Sequence, residues 1–159
     1  MATELPFYGT VDLADGYFEE VAVSDTWFSY STAQKKAALK KATRDVDKLP
    51  LAGRKFDFIQ ALQFPRVLDY DFKQIIFDVT VAGQIVVPST VLEAAYLQAK
   101  FILDSSDNDV VRAVKNGITS QSIGSTSESY DKSMLPIDFK TGICRESYEL
   151  LVPYLATGD

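Results

Sequence analysis

The segment that most constrains the fold covers residues 88–103. It opens with a Pro-Ser pair, a favourable helix start because the fixed φ of proline suits the first helical turn. Only three polar residues interrupt the apolar surface of this helix: Glu93, Gln98 and Lys100. A helix that is apolar on nearly all sides is buried on nearly all sides. We therefore expect the central helix of the domain, or a helix whose second face, with Leu97 and Phe101, contacts another subunit.

Local signals predict three further helices, over residues 11–22, over residues 31–49 and from about residue 143 onward. Ser31 and Gln34 have the spacing of a capping box, in which each side chain pairs with the backbone N–H of the other residue. Pro50 ends the second helix, and Pro153 is expected to kink or end the last one, because proline lacks the N–H of the helical ladder. The sequence predicts a mainly α fold, a small bundle of about four helices.

Two segments between the helices have β character. Residues 70–87 form a β-rich insertion, with a tight turn predicted at Ala82-Gly83. Residues 110–133 form a polar arm rich in Ser and Thr, and Asn116-Gly117 is its strongest hairpin signal. We expect one or two short β-hairpins or arms beside the helical bundle.

The remaining connections are a long loop and a short connector. Residues 51–70 are expected to form a long loop, with Pro65 as its most restricted point. Three aromatic residues follow the first helix in a short connector: Trp27, Phe28 and Tyr30. We expect them to cover the end of the core, although exposed rings beside positive charge would favour base stacking. The whole chain, residues 1–159, is expected to form one domain that ends in a helix and tail, residues 143–159.

Composition excludes most catalytic and metal chemistry. The chain has no histidine and a single cysteine, Cys144, which removes the commonest general base, the commonest metal ligand and any internal disulfide. We expect no enzyme activity, no cofactor and no metal. The formal net charge of −6 opposes phosphate, so only a local basic patch would suit nucleic acid. No apolar run approaches the roughly 20 residues of a membrane span, so no membrane partner is expected.

Charged residues form a stripe on each of the first two helices. The first helix carries an acidic stripe of Asp12, Asp15 and Glu19. The second carries a basic stripe of Lys36, Lys40, Arg44 and Lys48, with Lys41 beside it. Such stripes are typical of solvated helix faces, but a basic stripe also suits an acidic partner or DNA. We hypothesise that the acidic stripe of one copy meets the basic stripe of its neighbour in a ring, so that charge reversal at Lys40 and Arg44 weakens self-assembly.

Several short motifs occur in an order that resembles one protein family. They are Tyr8 to Phe18, Ala37 to Arg44, Gly53-Arg54, Gln63 to Arg66, Gly83 to Ile85 with Val87-Pro88, Val114 to Ile123, and Leu150 to Leu155. The pattern resembles the DnaT-like single-stranded-DNA-binding family found in tailed-phage and prophage structural gene clusters. Members of that family are similar to head-tail connector proteins, also called adaptor or head-completion proteins.

The resemblance implies a structural virion protein that forms a ring, commonly of twelve copies, under the portal. The ring would extend the DNA channel and receive the tail terminator or stopper protein, and double-stranded DNA would pass without specific binding. The protein would be made in the bacterial host cytoplasm and lie in the virion neck. Partner contacts are expected in the β-rich insertion, the arm and the C-terminal segment, at Ile75, Phe77, Ile85, Ile118, Ile123, Tyr130, Tyr148, Leu151, Tyr154 and Leu155.

A single-stranded-DNA-binding replication accessory protein is the alternative. The basic stripe is its best support, whereas the net charge and the lack of aromatic residues interleaved with basic ones favour the structural adaptor. For an adaptor, truncation after Gly142 is expected to leave a folded or partly folded domain that no longer joins the particle.

Overall fold

Helices dominate the part of the chain that the structure describes. The computed structural model describes residues 3–21, 25–70, 73–76, 80–81, 84–105, 120–123, 126–129 and 142–156. Its α-helices are α1 (Val11–Val21), α2 (Asp25–Ser29), α3 (Thr32–Asp47), α4 (Ser89–Asp104) and α5 (Arg145–Leu151), and a 3₁₀ turn, Val152–Tyr154, follows α5. The prediction of a mainly α fold built as a small bundle is confirmed.

Short antiparallel strands lie between the helices. They are β1 (Arg54–Lys55), β2 (Arg66–Tyr70), β3 (Lys73–Ile76), β4 (Thr80–Val81), β5 (Gln84–Ile85), β6 (Ser120–Ile123) and β7 (Thr126–Ser129). The first three form one sheet in the order β1-β2-β3, so that Val67 lies opposite Arg54 on one side and Ile76 on the other. β4 pairs with β5, and β6 pairs with β7. The predicted short hairpins beside the bundle are therefore confirmed.

Local signals misjudged two of the connections. Residues 51–70, predicted to be a loop, contain β1 and β2, because β2 finds backbone partners on both sides and Val67 is fully buried. The short connector after the first helix contains the helix α2, which carries Trp27 and was not predicted. The Trp27 side chain is fully buried, and its Nε1 donates to Asp15 Oδ1 at 2.7 Å. Both differences arise from contacts with distant parts of the chain, which local signals do not contain.

The two predicted hairpin turns fall partly outside the described residues. Val81 pairs with Gln84, which is the register expected for a turn at residues 82–83, and those two residues lie outside the described part. In the arm, the described hairpin pairs Ile123 with Thr126. Asn116-Gly117, the predicted turn of the arm, lies outside the described residues.

Capping residues position the helices as expected. Ser31 Oγ accepts from Gln34 N at 3.2 Å, and Gln34 Oε1 accepts from Ser31 N at 2.9 Å, so the predicted capping box is present. This pairing satisfies two of the N–H groups that the first turn of a helix leaves without partners. Pro153 lies in the 3₁₀ turn after α5, which ends at Leu151 as the proline predicts.

α4 is the central helix of the fold. It packs on α3 and α5, and it contributes to both clusters of buried side chains. The first cluster contains Tyr8, Val46, Leu49, Phe64, Val91, Ala94, Ala95, Ile143, Leu151 and Tyr154. The second contains Ala14, Phe18, Trp27, Ala38, Leu39, Ala42, Tyr96 and Ala99. Leu97 and Phe101, on the second face of α4, are only partly buried.

The C-terminal segment belongs to the core. Ile143 and Leu151 are fully buried, and Tyr154 is 8% exposed. The backbone joins this packing, since Tyr154 O accepts from Ala52 N at 2.8 Å. A chain that ends at Gly142 would lose all three side chains, which argues against the expectation that such a chain still folds.

Gln98 joins α4 to two neighbouring elements through a buried side chain. Its Nε2 donates to Asp45 Oδ2 at 3.0 Å, and its Oε1 accepts from Cys144 N, at the start of α5, at 2.8 Å. We expect Gln98→Met, which keeps a similar volume, to lower the free energy of unfolding by about 2 kcal/mol, because both partners lose a buried hydrogen bond. Urea denaturation measures this loss. Glu20→Met on the exposed face of α1 is the control, and an equal loss in both variants would contradict the proposed role.

Candidate functional site

α3 presents the largest cluster of cations among the described residues. Its buried side comprises Ala38, Leu39, Ala42 and Val46, which pack into the two core clusters. Its outer side comprises Lys36, Lys40, Lys41, Arg44 and Lys48, which we call the basic face. Because these residues are spaced three to four apart in the sequence, they lie on one side of α3, as predicted.

The N-terminal half of the basic face is partly neutralised. Glu4 accepts from Lys36 Nζ at 2.5 Å and from Lys40 Nζ at 3.2 Å. Hydrogen bonds from Lys36, and next from Lys40, hold the pKa of the Glu4 carboxyl below its usual value. Lys40 Nζ also lies 6.0 Å from the centre of the Phe7 ring. These exposed pairs contribute little to stability, and another anion can replace Glu4 at low cost.

The C-terminal half of the basic face is open. Arg44 and Lys48 are exposed, and among the described residues no carboxylate lies within ion-pair distance of either side chain. Lys41 pairs with Asp45, one turn further along α3, at 3.4 Å. The end of α3 therefore offers at least two cations to an anionic ligand.

The predicted acidic stripe of α1 does not act as one unit. Asp12 and Glu19 are exposed, whereas Asp15 accepts from Lys35 Nζ at 2.8 Å and from Trp27 Nε1 at 2.7 Å within the same chain. Asp15 thus holds α1 against α2 and α3, which leaves it poorly placed for a neighbouring copy. The hypothesis that the two stripes meet in a ring stays a prediction.

Residues 54–60, which we call the aromatic turn, project apolar side chains into solvent. Phe58 is 90% exposed, Ile59 is 75% exposed and Phe56 is 42% exposed. Arg54 and Lys55 precede them directly in the chain. The turn therefore carries exposed aromatic rings next in sequence to two basic residues, and nucleic-acid-binding surfaces combine such residues for stacking.

Hydrogen bonds hold the aromatic turn in one conformation. Gln60 N donates to Asp57 O at 3.1 Å, Asp57 N donates to Gln60 Oε1 at 3.0 Å, and Ile59 N donates to Asp57 Oδ1 at 3.1 Å. The Gln60 amide also donates to Leu62 O at 2.8 Å and to Pro65 O at 3.0 Å. The exposed rings are thus carried by a fixed backbone.

Asp47 and Tyr8 hold the segment that follows the aromatic turn against the end of α3. Asp47, the last residue of α3, accepts from Tyr8 Oη and from Gln63 N, the latter at 3.3 Å. Burial is the main cause that raises the pKa of Asp47. Tyr8 Oη in turn accepts from Phe64 N at 3.2 Å. Phe56 N donates to Pro65 O at 2.9 Å, so the turn is connected to the end of α3 through residues 63–65.

Arg66 fixes the other side of the turn. Its Nε donates to Ala52 O at 2.8 Å, and its Nη2 donates to Gly53 O at 2.6 Å. Its Nη1 donates to Gln63 Oε1 at 2.6 Å. Arg66 is 6% exposed, and burial lowers its pKa. This arginine is therefore a structural residue, held mainly by backbone carbonyls, and is not available to a ligand.

Sequence reasoning missed the aromatic turn. Residues 54–59 read Arg-Lys-Phe-Asp-Phe-Ile, so a basic pair directly precedes two phenylalanines, although the residue between the two rings is Asp57 and the aromatic and basic residues do not alternate. The signal was present in the sequence, but a phenylalanine in a short segment is normally assigned to the core. Of the aromatic residues that were considered for stacking, Trp27 is buried, and Tyr30 Oη donates to Asp104 at 2.7 Å.

A cleft of about 780 Å³ lies between α1, α4 and α5. Leu97 and Phe101, predicted to mediate self-association, line its wall. Its charged lining residues are Glu93, Asp104, Glu146 and Glu149, with Lys100 and Arg145. The excess of carboxylates opposes phosphate, so the cleft is a poor site for nucleic acid. Self-association through Leu97 and Phe101 stays a prediction.

The residues predicted to contact partners occupy different environments. Ile75, Ile85 and Ile123 lie in β3, β5 and β6. Phe77, Ile118 and Tyr130 lie outside the described residues. In the C-terminal segment, Leu151 and Tyr154 are in the core, and Tyr148 and Leu155 pack against it. Of the residues whose surroundings the structure describes, Leu151 and Tyr154 are buried and therefore unsuited to direct contact with a partner.

Metal and nucleophile chemistry has no visible basis in the described part of the chain. The residues described there contain no group of His, Cys, Asp and Glu side chains that could hold a metal ion. Burial raises the pKa of the Cys144 thiol, which keeps it protonated and a weak nucleophile near neutral pH. No helix in the described ranges is long and apolar enough to span a membrane.

Comparison with known proteins gives one informative result. A family model described as "Putative DnaT-like ssDNA binding protein" matches residues 7–158. No curated protein and no solved structure matches the chain. The family match therefore covers nearly the whole chain, including α3 and the aromatic turn.

The family match overturns the head-tail connector assignment. The matched family is one of single-stranded-DNA binding and is not a connector family. The structural adaptor, its portal and tail terminator or stopper partners, and double-stranded DNA that passes without specific binding were therefore wrong. The expected location in the virion neck depended on the same assignment and has no support apart from it.

Proposed function

The chain belongs to the DnaT-like single-stranded-DNA-binding protein family, and from this premise we propose that it binds single-stranded DNA and acts by binding, with no chemical step. The family match is the observation that carries the proposal. The basic face of α3 supports it, because this face concentrates cations on one side of an exposed helix. This is the alternative that the sequence offered beside the adaptor.

The acidic net charge does not oppose such a site. Charges more than about 8–10 Å apart in solvent are largely screened at physiological salt. A DNA phosphate at Arg44 and Lys48 is therefore governed by the nearest side chains and much less by the net charge of −6. The carboxylates of the acidic cleft repel phosphate, so they disfavour DNA binding at α4 and α5 and leave the basic face as the preferred site.

Phosphate contacts at the basic face make a prediction about salt. For single strands, log K falls with log salt concentration with a slope of about −0.7 per neutralised phosphate. We expect Arg44→Gln combined with Lys48→Gln to make the slope shallower by about 1.4 and to lower affinity about tenfold at low salt. Fluorescence anisotropy of a labelled thymidine oligonucleotide across a salt series measures both quantities.

The matched control removes the same charge elsewhere. Lys100→Gln combined with Arg145→Gln also lowers the net charge by two, but both residues line the acidic cleft. We expect its affinity and its salt slope to stay close to those of the wild type. An equal loss in both double variants would refute the basic face as the site, and absence of salt-dependent binding by the wild type would refute the proposed function itself.

A further inference from the structure

We propose that the aromatic turn is a base-stacking platform, on which unpaired bases stack against the rings of Phe58 and Phe56. The inference rests on the proposed function and adds to it the chemistry that distinguishes single strands from duplex DNA. In a duplex the faces of the bases are stacked on one another, whereas unpaired bases offer them to an aromatic side chain.

The exposure of the turn is the first observation behind the inference. A single exposed apolar side chain is ordinary, but here Phe56, Phe58 and Ile59 are exposed within four residues. Phe58 is 90% exposed, so its ring contributes almost nothing to the core of this chain. The ring is therefore available for contact with a ligand.

The fixed backbone of the turn is the second observation. Gln60 alone takes part in five hydrogen bonds, two with Asp57 and one each with Lys55, Leu62 and Pro65. A ring held on such a backbone loses little conformational freedom when a base stacks on it. The exposed rings are therefore prepared for a ligand and are not a loose, accidental patch.

Charge and position decide which ligand fits. Arg54 and Lys55 precede the rings, and the Asp57 carboxylate is turned toward Ile59 N at 3.1 Å. Gln63 N donates to Asp47 and Phe56 N donates to Pro65 O, so residues 63–65 connect the turn to the end of α3, which carries the exposed Arg44 and Lys48. In the proposed complex the phosphates of one strand follow the basic face while its bases stack on the rings.

A second copy of the chain is a poorer occupant of this surface. Stable protein interfaces bury at least about 1,000 Å² in total and use many residues on each side. The turn offers three apolar side chains beside two cations, which would face two like cations in a symmetric dimer. Single-stranded DNA suits a surface that offers a few exposed rings and two nearby basic residues, because a base stacks on each ring and its phosphates pair with cations.

The experiment compares two ligands of equal charge. One is a labelled thymidine oligonucleotide, and the other is an abasic oligonucleotide of the same length, which keeps the phosphates and removes the bases. We expect Phe58→Ala to weaken binding of the thymidine oligonucleotide about tenfold, with no change in salt slope and no change in binding of the abasic one. Phe58→Trp should keep the affinity, and its added fluorescence should be quenched by the thymidine oligonucleotide.

A matched aromatic control is available on α2. Phe28 is 46% exposed, and its ring lies 5.3 Å from Lys35 Nζ, a cation that Asp15 already holds. Phe28→Ala should leave both affinities unchanged, and thermal melts should show that Phe58→Ala is as stable as the wild type. A loss for Phe28→Ala without a loss for Phe58→Ala would place the stacking at α2 and overturn the inference.

The outcomes separate the inference from the proposed function. If the wild type binds the thymidine oligonucleotide and Phe58→Ala binds it equally well, the inference fails and the proposed function stands. Equal losses for both oligonucleotides would show that the ring does not contact bases, which also overturns the inference. If sedimentation shows that Phe58→Ala converts an oligomer to a monomer, the turn is a subunit interface. If the wild type binds neither oligonucleotide, both proposals fall.

Discussion

A chain shortened to end at Gly142 is expected not to fold stably. The truncation removes Ile143, Leu151 and Tyr154, which are between 0% and 8% exposed, from the first core cluster. Removing one large buried apolar side chain costs about 2–5 kcal/mol, and a domain of this kind has a total stability of only about 5–15 kcal/mol. Circular dichroism during heating should show reduced helix content and no cooperative transition.

A shorter truncation provides the control. A chain that ends at Ala156 keeps the three core side chains and the hydrogen bond from Ala156 N to Pro50 O at 2.7 Å. We expect its melting temperature to lie within a few degrees of that of the full chain. Cooperative melting of the Gly142 truncation near the same temperature would show that residues 143–156 dock onto a domain that is complete without them.

The positions of the helices and the sides that they bury could be predicted, because both depend on residues close together in the sequence. Ser31 and Gln34 form a capping box that involves four consecutive residues, and the structure contains it. The apolar pattern of residues 88–103 predicted a buried helix, and α4 is that helix, since its side chains belong to both core clusters. Helix position and amphipathic side depend on near neighbours, so a sequence read on its own reveals them.

Long-range contacts explain what was missed. Tyr8 and Asp47 meet across 39 residues of sequence, and Gln98 binds the backbone of Cys144 across 46. No periodic pattern in the sequence specifies such pairs. A polar residue is normally assigned to the surface, so its buried partner is not predicted. The same applies to β2, whose partners become evident only when the sheet is assembled. The C-terminal segment was thus read as an appendage, although it completes the core.

One part of the candidate site was predicted from local sequence patterns, and the other part was not. The basic face was predicted from the recurrence of cations along one helix, and α3 displays it as expected. The aromatic turn was missed because exposure is a property of the fold, and a phenylalanine is presumed buried until its surroundings are known. The net charge was also given too much weight, since a phosphate responds to nearby side chains under physiological screening. Both errors favoured an adaptor over a DNA-binding protein.

Gly9→Ala is expected to lower the free energy of unfolding by about 3 kcal/mol. Gly9 has a φ of +71°, a left-handed conformation that L side chains adopt at a cost. An added Cβ would lie 2.3 Å from Tyr96 Oη and 2.7 Å from Tyr96 Cε1, distances that real atoms do not tolerate. Tyr96 is only 5% exposed and packs in the second core cluster, so its ring has little room to move. Chemical denaturation measures the loss.

The same substitution at Gly16 should have the opposite sign. Gly16 lies inside α1, and an added Cβ there would meet no atom within 4 Å. Alanine is the better helix former, so Gly16→Ala is expected to raise the free energy of unfolding by about 0.5–1 kcal/mol. A Tyr96→Ala background separates the two causes at Gly9. There the overlap is gone and only the backbone cost of about 1–2 kcal/mol should remain. An equal cost of Gly9→Ala in both backgrounds would exclude the tyrosine as its cause.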